Sequence, residues 1–434
     1  MKNTFIVIFL TLFVCSCAPK FKYEVLQSTM KSGNCPGAVE FVKNNQKQYG
    51  SKARLLFLMD SGMINLQCGN YDLAGKYFAD AEELAQLLWT DSISKNAASM
   101  VTNDLIIDYA GEDFEKAMIN LFSAFSYIKK DEYDEAMTDC RRLDTLLTQY
   151  NDKYKKKNVY KEDALGRYLS GVLSEADDEY SEAYIYYYEA FKAFKNYNSA
   201  YGTTTPAFLF EDILRVAGPA DRLEEARSLF SGARKTKYLN AKKSRKLGKI
   251  VLIHLNGKGP VKIENKYTVP TLSGPISIAF PKYVTSPPVC HESKLIVTSD
   301  KKSYSAKSAL FNDINKIALK SLDDRKGRTM AKAIARAVAK QAVVHAASKQ
   351  VEKQYGSGWG LAAKIAGRIA ASATETADTR AWRTLPGEIN IARTFVQPGN
   401  YQVSVENCHG AQKSLDTVNV KAGETKFVFD YSIY

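Results

Sequence analysis

The residue types that could do chemistry are sparse. The 434-residue chain holds four histidines and seven cysteines. Two of the histidines follow a cysteine, in Cys290-His291 and Cys408-His409. Thiolate and imidazole together are a zinc donor set. Neighbouring residues on a strand point to opposite faces, however, so each dipeptide would need an irregular loop to chelate. A Cys290–Cys408 disulfide and a pair of free thiols are the other readings. His254 lies in the apolar run KIVLIHL and His345 in an Ala-rich stretch, which are structural settings for both. No G-x-S-x-G, H-E-x-x-H or G-x-x-x-x-G-K-[ST] pattern occurs. The expectation is a protein that is not an enzyme, with no catalytic residue, no metal and no cofactor.

The chain opens MKNTFIVIFLTLFVCSC, a Lys followed by an apolar run from Phe5 to Val14. Such a run is too short to span a bilayer and reads as a secretory signal over residues 1–16. Val14-Cys15-Ser16-Cys17 resembles the bacterial lipobox, which makes Cys17 the expected lipidation site and residues 17–29 a tether. Ordinary secretion, with Cys17 in a disulfide, is the alternative. Acyl chains contribute roughly 0.8 kcal/mol per buried CH₂, enough for stable anchoring when several are present. Residue 18 is Ala, not Asp. By resemblance to Gram-negative lipoproteins, this implies sorting to the outer membrane, and a periplasm-facing body is expected.

The elements that must position these residues fall into two units. Residues 30–240 repeat a small-aromatic spacing, with Tyr71 and Ala74, Tyr133 and Ala136, Tyr180 and Ala183, and more weakly Leu223 and Ala226. The pattern resembles the tetratricopeptide repeat, in which small residues seat the neighbouring helix. The repeat centres, Ala74, Ala136, Ala183 and Ala226, lie 62, 47 and 43 residues apart. The regular unit is about 34 residues, so the array is tetratricopeptide-like rather than regular. Such arrays offer a concave surface to a protein partner. Part of the Tyr184–Tyr188 cluster exceeds what a core needs and is expected to line a groove. Cys35 opens one predicted helix and Cys68 closes the next. They either bridge, as an oxidising compartment allows, or remain two buried thiols.

From residue 248 to 434, strand alternation takes over, as in VKIENKYTV, broken by turns such as NGKGP, QPGN and KAGE. The last fifty residues, in the order L-P-G-E-I-x-I, P-G-x-Y-x-V-x-V and V-x-V-x-A-G-E-T-x-F-V, resemble small extracytoplasmic β-sandwich modules. The fold class is therefore α+β: a tetratricopeptide-like helical array, then an antiparallel β-sandwich-like domain with an Ala-rich helical insertion at 307–377. Along that insertion Arg328, Lys332, Arg336 and Lys340 recur at i+4, a row expected to meet an anionic envelope surface or a partner unless it is only solvated.

Charge divides the same way. Residues 17–233 carry 25 basic and 33 acidic side chains, whereas 234–434 carry 34 and 14. The basic run RKTKYLNAKKSRKLGK (234–249) stands at the change, as a solvated linker or a contact with the acidic unit. Behind a secretory signal the surplus has no nucleic acid to meet, so it predicts contact between the two units or with the envelope.

ETADTRAWRTLPGEINIAR (375–393), NDLIIDYAGEDFEKAMINLFSAFSYI (103–128) and the lipobox together resemble a family of Gram-negative lipoproteins with tetratricopeptide-like N-terminal halves. The resemblance implies an envelope location and a non-enzymatic role, and it brings no catalytic residues. Asp378, Arg380, Trp382 and Arg383 are expected to anchor the insertion back onto the sheet. The function read from these features is an outer-membrane lipoprotein acting as a scaffold, its helical array binding an envelope protein. A glycan-binding or peptidoglycan-associated factor is the alternative.

Overall fold

The computed structural model describes residues 21–99, 104–155, 158–230, 232–270, 275–300 and 302–433. The expected signal and the expected lipidation site at Cys17 lie outside the described residues. The chain is α+β, a helical array followed by a sheet-rich half.

The array is built of helix hairpins: α1 (Tyr23–Lys31) with α2 (Cys35–Asn44), α3 (Arg54–Gln67) with α4 (Tyr71–Ser99), α5 (Asp113–Ile128) with α6 (Tyr133–Lys153), α7 (Ala164–Ala176) with α8 (Tyr180–Tyr201), and α9 (Ala207–Ala217) with the short α10 (Leu223–Ser228). Each of the last four turns carries a residue in the left-handed region two places before the second helix: Gly69, Asp131, Asp178 and Asp221, with φ of 80°, 59°, 63° and 57°. Gly and Asp tolerate that conformation best, so the turn chemistry repeats with the hairpin. Close approach repeats too. A Cβ on Gly62 would come 2.5 Å from the Phe78 ring, and one on Gly171 would come 2.5 Å from Tyr187. Side chains start the helices: Asn34 Oδ1 accepts from Gly37 N at 3.0 Å and Asp163 Oδ1 from Gly166 N at 2.6 Å.

After the four-residue helix α11 (Ala241–Ser244), the first sheet is ordered β10 (Thr425–Ser432), β1 (Gly248–Lys258), β7 (Pro386–Val396), β6 (Ala309–Asp313). The second is β5 (Ser303–Lys307), β4 (Lys294–Thr298), β8 (Gly399–Glu406), β9 (Gln412–Val420). A separate hairpin pairs β2 (Val261–Val269) with β3 (Ile276–Val284). The first sheet is mixed, because β1 pairs parallel with β10 and antiparallel with β7. That corrects the all-antiparallel expectation. KIVLIHL is apolar on both faces, as suits a central strand covered on both sides. Val251, Ile253 and Leu255 pack against the helical array, while Ile250 and Leu252 pack against Leu295, Val297, Val403 and Val405 of the second sheet. The layers run helices, mixed sheet, antiparallel sheet.

Two helices interrupt the sheets: α12 (Ile314–Tyr355) and α13 (Ser357–Ala373), reversed at Gly356 with φ of 93°. They begin at Ile314 and not at 307, because Ala309–Asp313 pairs with β7 and Asp313 caps α12 by accepting from Lys316 N at 2.9 Å. Among the described residues no helix is long and apolar enough to cross a membrane.

Candidate functional site

Stacked helix hairpins of this kind expose an inner face. Helices α3, α5 and α7 are buried along nearly their whole circumference, from Leu55 to Leu66, Phe114 to Ser126 and Ala164 to Glu175. The chain's own sheet covers them. Phe125 meets Phe429 edge-on at 5.5 Å, Tyr168 lies 4.8 Å from Phe311, and Phe114 lies 6.2 Å from Tyr283. The expected groove for a partner on this face is therefore filled from within. Of the tyrosines expected to line it, Tyr184 and Tyr187 are core residues, and Tyr186 and Tyr188 are half-buried on the outer side.

Polar groups lock the same junction. Glu112 bridges Lys262 of β2 and Arg325 of α12. Burial alone would raise the Glu112 carboxyl, but the two cations overcome it and hold the group well below the usual range. Glu175 repeats the arrangement, with Arg215 Nε at 2.5 Å and Lys249 Nζ at 2.5 Å, and it too is held low against its burial. Arg393 reaches Asp212 at 2.7 Å and Glu211 at 2.8 Å. From the basic run, Arg245 pairs with Asp178 and Lys249 with Glu175, so the run meets the acidic unit.

The segment around Trp382 docks here as well. Trp382 is 1 % exposed, 5.7 Å from the Phe122 ring and 6.3 Å from Phe78. Its backbone N–H donates to Glu115 Oε1 at 2.8 Å and its Nε1–H to Thr384 Oγ1 at 2.9 Å. Thr384 in turn donates to Asp60 at 2.7 Å. Arg380 forks onto Asp378 and donates to the carbonyls of Lys52 and Ile107. These residues anchor to the helical array rather than the sheet. Phe78 and Phe122 supply an aromatic socket, and Glu115 and Asp60 supply the acceptors that the sheet does not.

Of the readings left open for the cysteines, the structure has the bridged one in both pairs. Cys35 bonds to Cys68 with Cα atoms 5.4 Å apart, and Cys290 to Cys408 at 5.5 Å. His409 lies close to the second bridge. Its two sulfurs are bonded to each other, so the zinc donor set is spent. Cys140 is a free, buried thiol, and burial pushes it up to about 12.

Sequence reasoning missed a Ser-His-Asp grouping that unites three strand and loop segments. His254 Nδ1 lies 2.9 Å from Ser293 Oγ, and its Nε2 lies 3.3 Å from Asp430. In the serine-hydrolase template the serine meets Nε2 and the aspartate Nδ1. Here the order is reversed, and all three side chains are buried. Asp430 is also held by Lys413 Nζ at 2.6 Å. Burial lowers His254, opposed by Asp430. In this group His254 Nδ1 ties β1 to the 290–293 loop, while Nε2 faces Asp430 of β10 without a hydrogen bond among the described residues. No spacing rule could have found it, because 254, 293 and 430 converge only through sheet topology.

Beside it opens a cavity of about 480 Å³ lined by His291, Glu292, Asp313, Asn315 and Glu388. His291 Nδ1 meets Glu388 Oε1 at 2.6 Å and Asn256 lies near the same carboxyl, while among the described residues no group is placed to hydrogen-bond the buried Glu388 Oε2 or Asn315 Oδ1. Burial raises the Glu388 carboxyl, against His291.

The expected cationic row does not face outward as a unit. Arg336 is 2 % exposed and pairs with Glu375 at 2.8 Å, and Lys340 reaches the other oxygen of Glu375 at 2.8 Å. Arg328 lies over the Tyr154 ring, and Lys332 is half-buried. The row turns inward because Ala333 and Ala337 on the same side of α12 pack against Ile276 and Ile278 of β3. What faces out is apolar: Ile334, Val338 and Val343 on α12, and Leu361, Ile365 and Ile369 on α13.

No family model matches this chain, and no curated protein matches it.

Proposed function

We propose that this protein is an outer-membrane lipoprotein, held by acylated Cys17, that acts as a non-enzymatic protein–protein interaction scaffold in the cell envelope. With the inner face of the array covered, the partner surface is its outer side. The observation that carries this reading is the ridge between α6 and α8. Arg141 Nε donates to the Tyr186 hydroxyl at 3.0 Å, its Nη2 pairs with Glu182 at 3.2 Å, and Ile185 beside them is 50 % exposed. Tyr and Arg next to an exposed aliphatic residue are the types that dominate protein interfaces. A photo-crosslinking residue in place of Tyr186, in detergent-solubilised envelopes, tests this. One protein adduct in near-stoichiometric yield, abolished by Ile185→Asp, is the expected result; absence of any adduct rejects the ridge.

A second reading, binding of an envelope glycan, is favoured by the unpartnered acceptors of Glu388 and Asn315 in their cavity. A hydroxyl-rich ligand would satisfy both. Pelleting with purified sacculi, lost in Glu388→Ala, would move the assignment to that reading.

A further inference from the structure

The hairpin of α12 and α13 presents an inverted surface. Its small residues face inward. A Cβ on Gly360 would meet Glu352 Cβ at 2.5 Å, and one on Gly367 would meet Val344 Cγ1 at 2.8 Å, so the two helices approach closely through glycine. The large apolar residues turn away from that seam. Leu361, Ile365 and Ile369 form an i, i+4, i+8 row that is 61 %, 52 % and 66 % exposed. At the reversal Trp359 and Tyr355 are exposed to a similar degree. A helix in water buries such a row against something.

Charge identifies what that is. Between residues 326 and 373 there are nine basic side chains and one acidic one, Glu352. Arg336 and Lys340 are committed to Glu375. Lys349, Lys353, Lys364 and Arg368, nearer the reversal, have no ion-pair partner among the described residues. Two copies of this hairpin laid together would oppose like charges, and a neutral apolar partner would leave those four cations uncompensated. Exposed aliphatic residues, flanking cations and aromatic residues at the end are the composition of a helix that lies in a membrane interface. The free end suits such a contact, since residues 341–355 of α12 extend about 22 Å at about 1.5 Å per residue.

We infer that the α12–α13 hairpin docks on an anionic phospholipid surface. Its aliphatic row enters the headgroup–acyl boundary, and Lys349, Lys353, Lys364 and Arg368 meet the phosphates. This contact is additional to the lipid on Cys17 and does not depend on it.

The test uses the mature chain carrying Cys17→Ser, so that no acyl group contributes. Co-sedimentation with phosphatidylethanolamine–phosphatidylglycerol vesicles should show binding that weakens with salt. The Trp359 emission should shift to the blue, a shift absent in Trp359→Phe. Each surface cation contributes about 1 kcal/mol at an anionic membrane, roughly fivefold in partition. Replacing all four by Gln should therefore weaken binding by roughly six hundredfold. Leu361→Ser, Ile365→Ser and Ile369→Ser together should abolish it; these exposed sites leave folding intact, which an unchanged melting temperature verifies. No binding to the anionic vesicles overturns the inference, as does equal binding to phosphatidylcholine vesicles. Concentration-dependent dimers that vanish in the triple Ser variant, without vesicle binding, would assign the face to a second copy instead.

Discussion

Replacing Trp382 by Ala should cost about 3–5 kcal/mol, because it is the largest fully buried side chain among the described residues and it sits at the junction with the array. A buried tryptophan covers roughly 150–250 Å². At about 25 cal/mol per Å² this is about 4–6 kcal/mol of transfer energy. A partly compact unfolded chain reduces it by roughly a quarter. The vacated space faces Phe78 and Phe122, two rings fixed by their own helices, so collapse around it is limited and a cavity penalty remains. The Nε1 donor to Thr384 is also lost, while the backbone bond to Glu115 survives. Trp382→Phe keeps an aromatic plug and should cost about 1–2 kcal/mol less than the Ala variant. Urea unfolding followed by circular dichroism measures both. A loss below about 1 kcal/mol for Trp382→Ala would refute the argument, since it would mean that the 378–384 segment rests on the array without holding it.

Three further outcomes follow from the same junction and its bridges. Glu112→Gln leaves Lys262 and Arg325 without their shared carboxylate and should lower stability by about 3–5 kcal/mol in urea unfolding, with partial recovery when Lys262→Met is added. Cys290→Ser with Cys408→Ser opens a 118-residue separation and should cost up to about 5 kcal/mol, against about 4 for the 33-residue Cys35–Cys68 pair, read from melting of each double variant. Asp60 is raised from its ordinary 3.8 to about 6, chiefly by burial, with hydroxyl donors Tyr23, Thr384 and Tyr49 opposing. A raised carboxyl contributes stability that is complete below about pH 4 and is lost as pH rises through about 6, an amount of about 3 kcal/mol. Melting at stepped pH should therefore show an Asp60-dependent fall across that window, absent in Asp60→Asn. Glu112 and Glu175, held low, contribute in the opposite sense, with stability lost as pH falls below about 4.5.

The helical half was legible because its signal is local. Tyr-x-x-Ala after a turn residue marks the start of each second helix, and Gly62 and Gly171 mark the seam, all within one hairpin. Strand alternation in 261–269 and 401–405 was local too. What escaped depends on elements far apart in sequence. The β1–β10 pairing joins residues separated by more than half the sheet-rich half, and nothing in KIVLIHL distinguishes a parallel neighbour from an antiparallel one. Trp382 carries no sign of whether it plugs a sheet or an array; that depends on the socket of Phe78 and Phe122 some 260 residues or more upstream. The cation row at 328–340 was read correctly as one helix face, yet its direction was set by Ala333 and Ala337 lying beside it, small enough to seat β3. Small residues bury a face as effectively as large ones when a sheet must come close, and they carry the basic residues inward with them.

That inversion changes what the surplus of positive charge means. Were the basic residues of the sheet-rich half spread over its surface, they would amount to a diffuse field. Instead Lys249, Lys262, Arg325 and Arg393 are consumed by carboxylates of the array in buried or half-buried pairs. Such pairs add less to stability than to register, because desolvation offsets much of the attraction while a mismatched docking would strand charges. They fix how two dissimilar halves sit together. Among the cations without an ion-pair partner in the described residues, Lys349, Lys353, Lys364 and Arg368 sit on the outer part of one helical hairpin whose larger side chains are aliphatic. Positive charge and exposed apolar surface thus coincide at the end of the molecule least engaged with the rest of the fold, where an external surface can supply both the missing carboxylate or phosphate and the missing apolar contact.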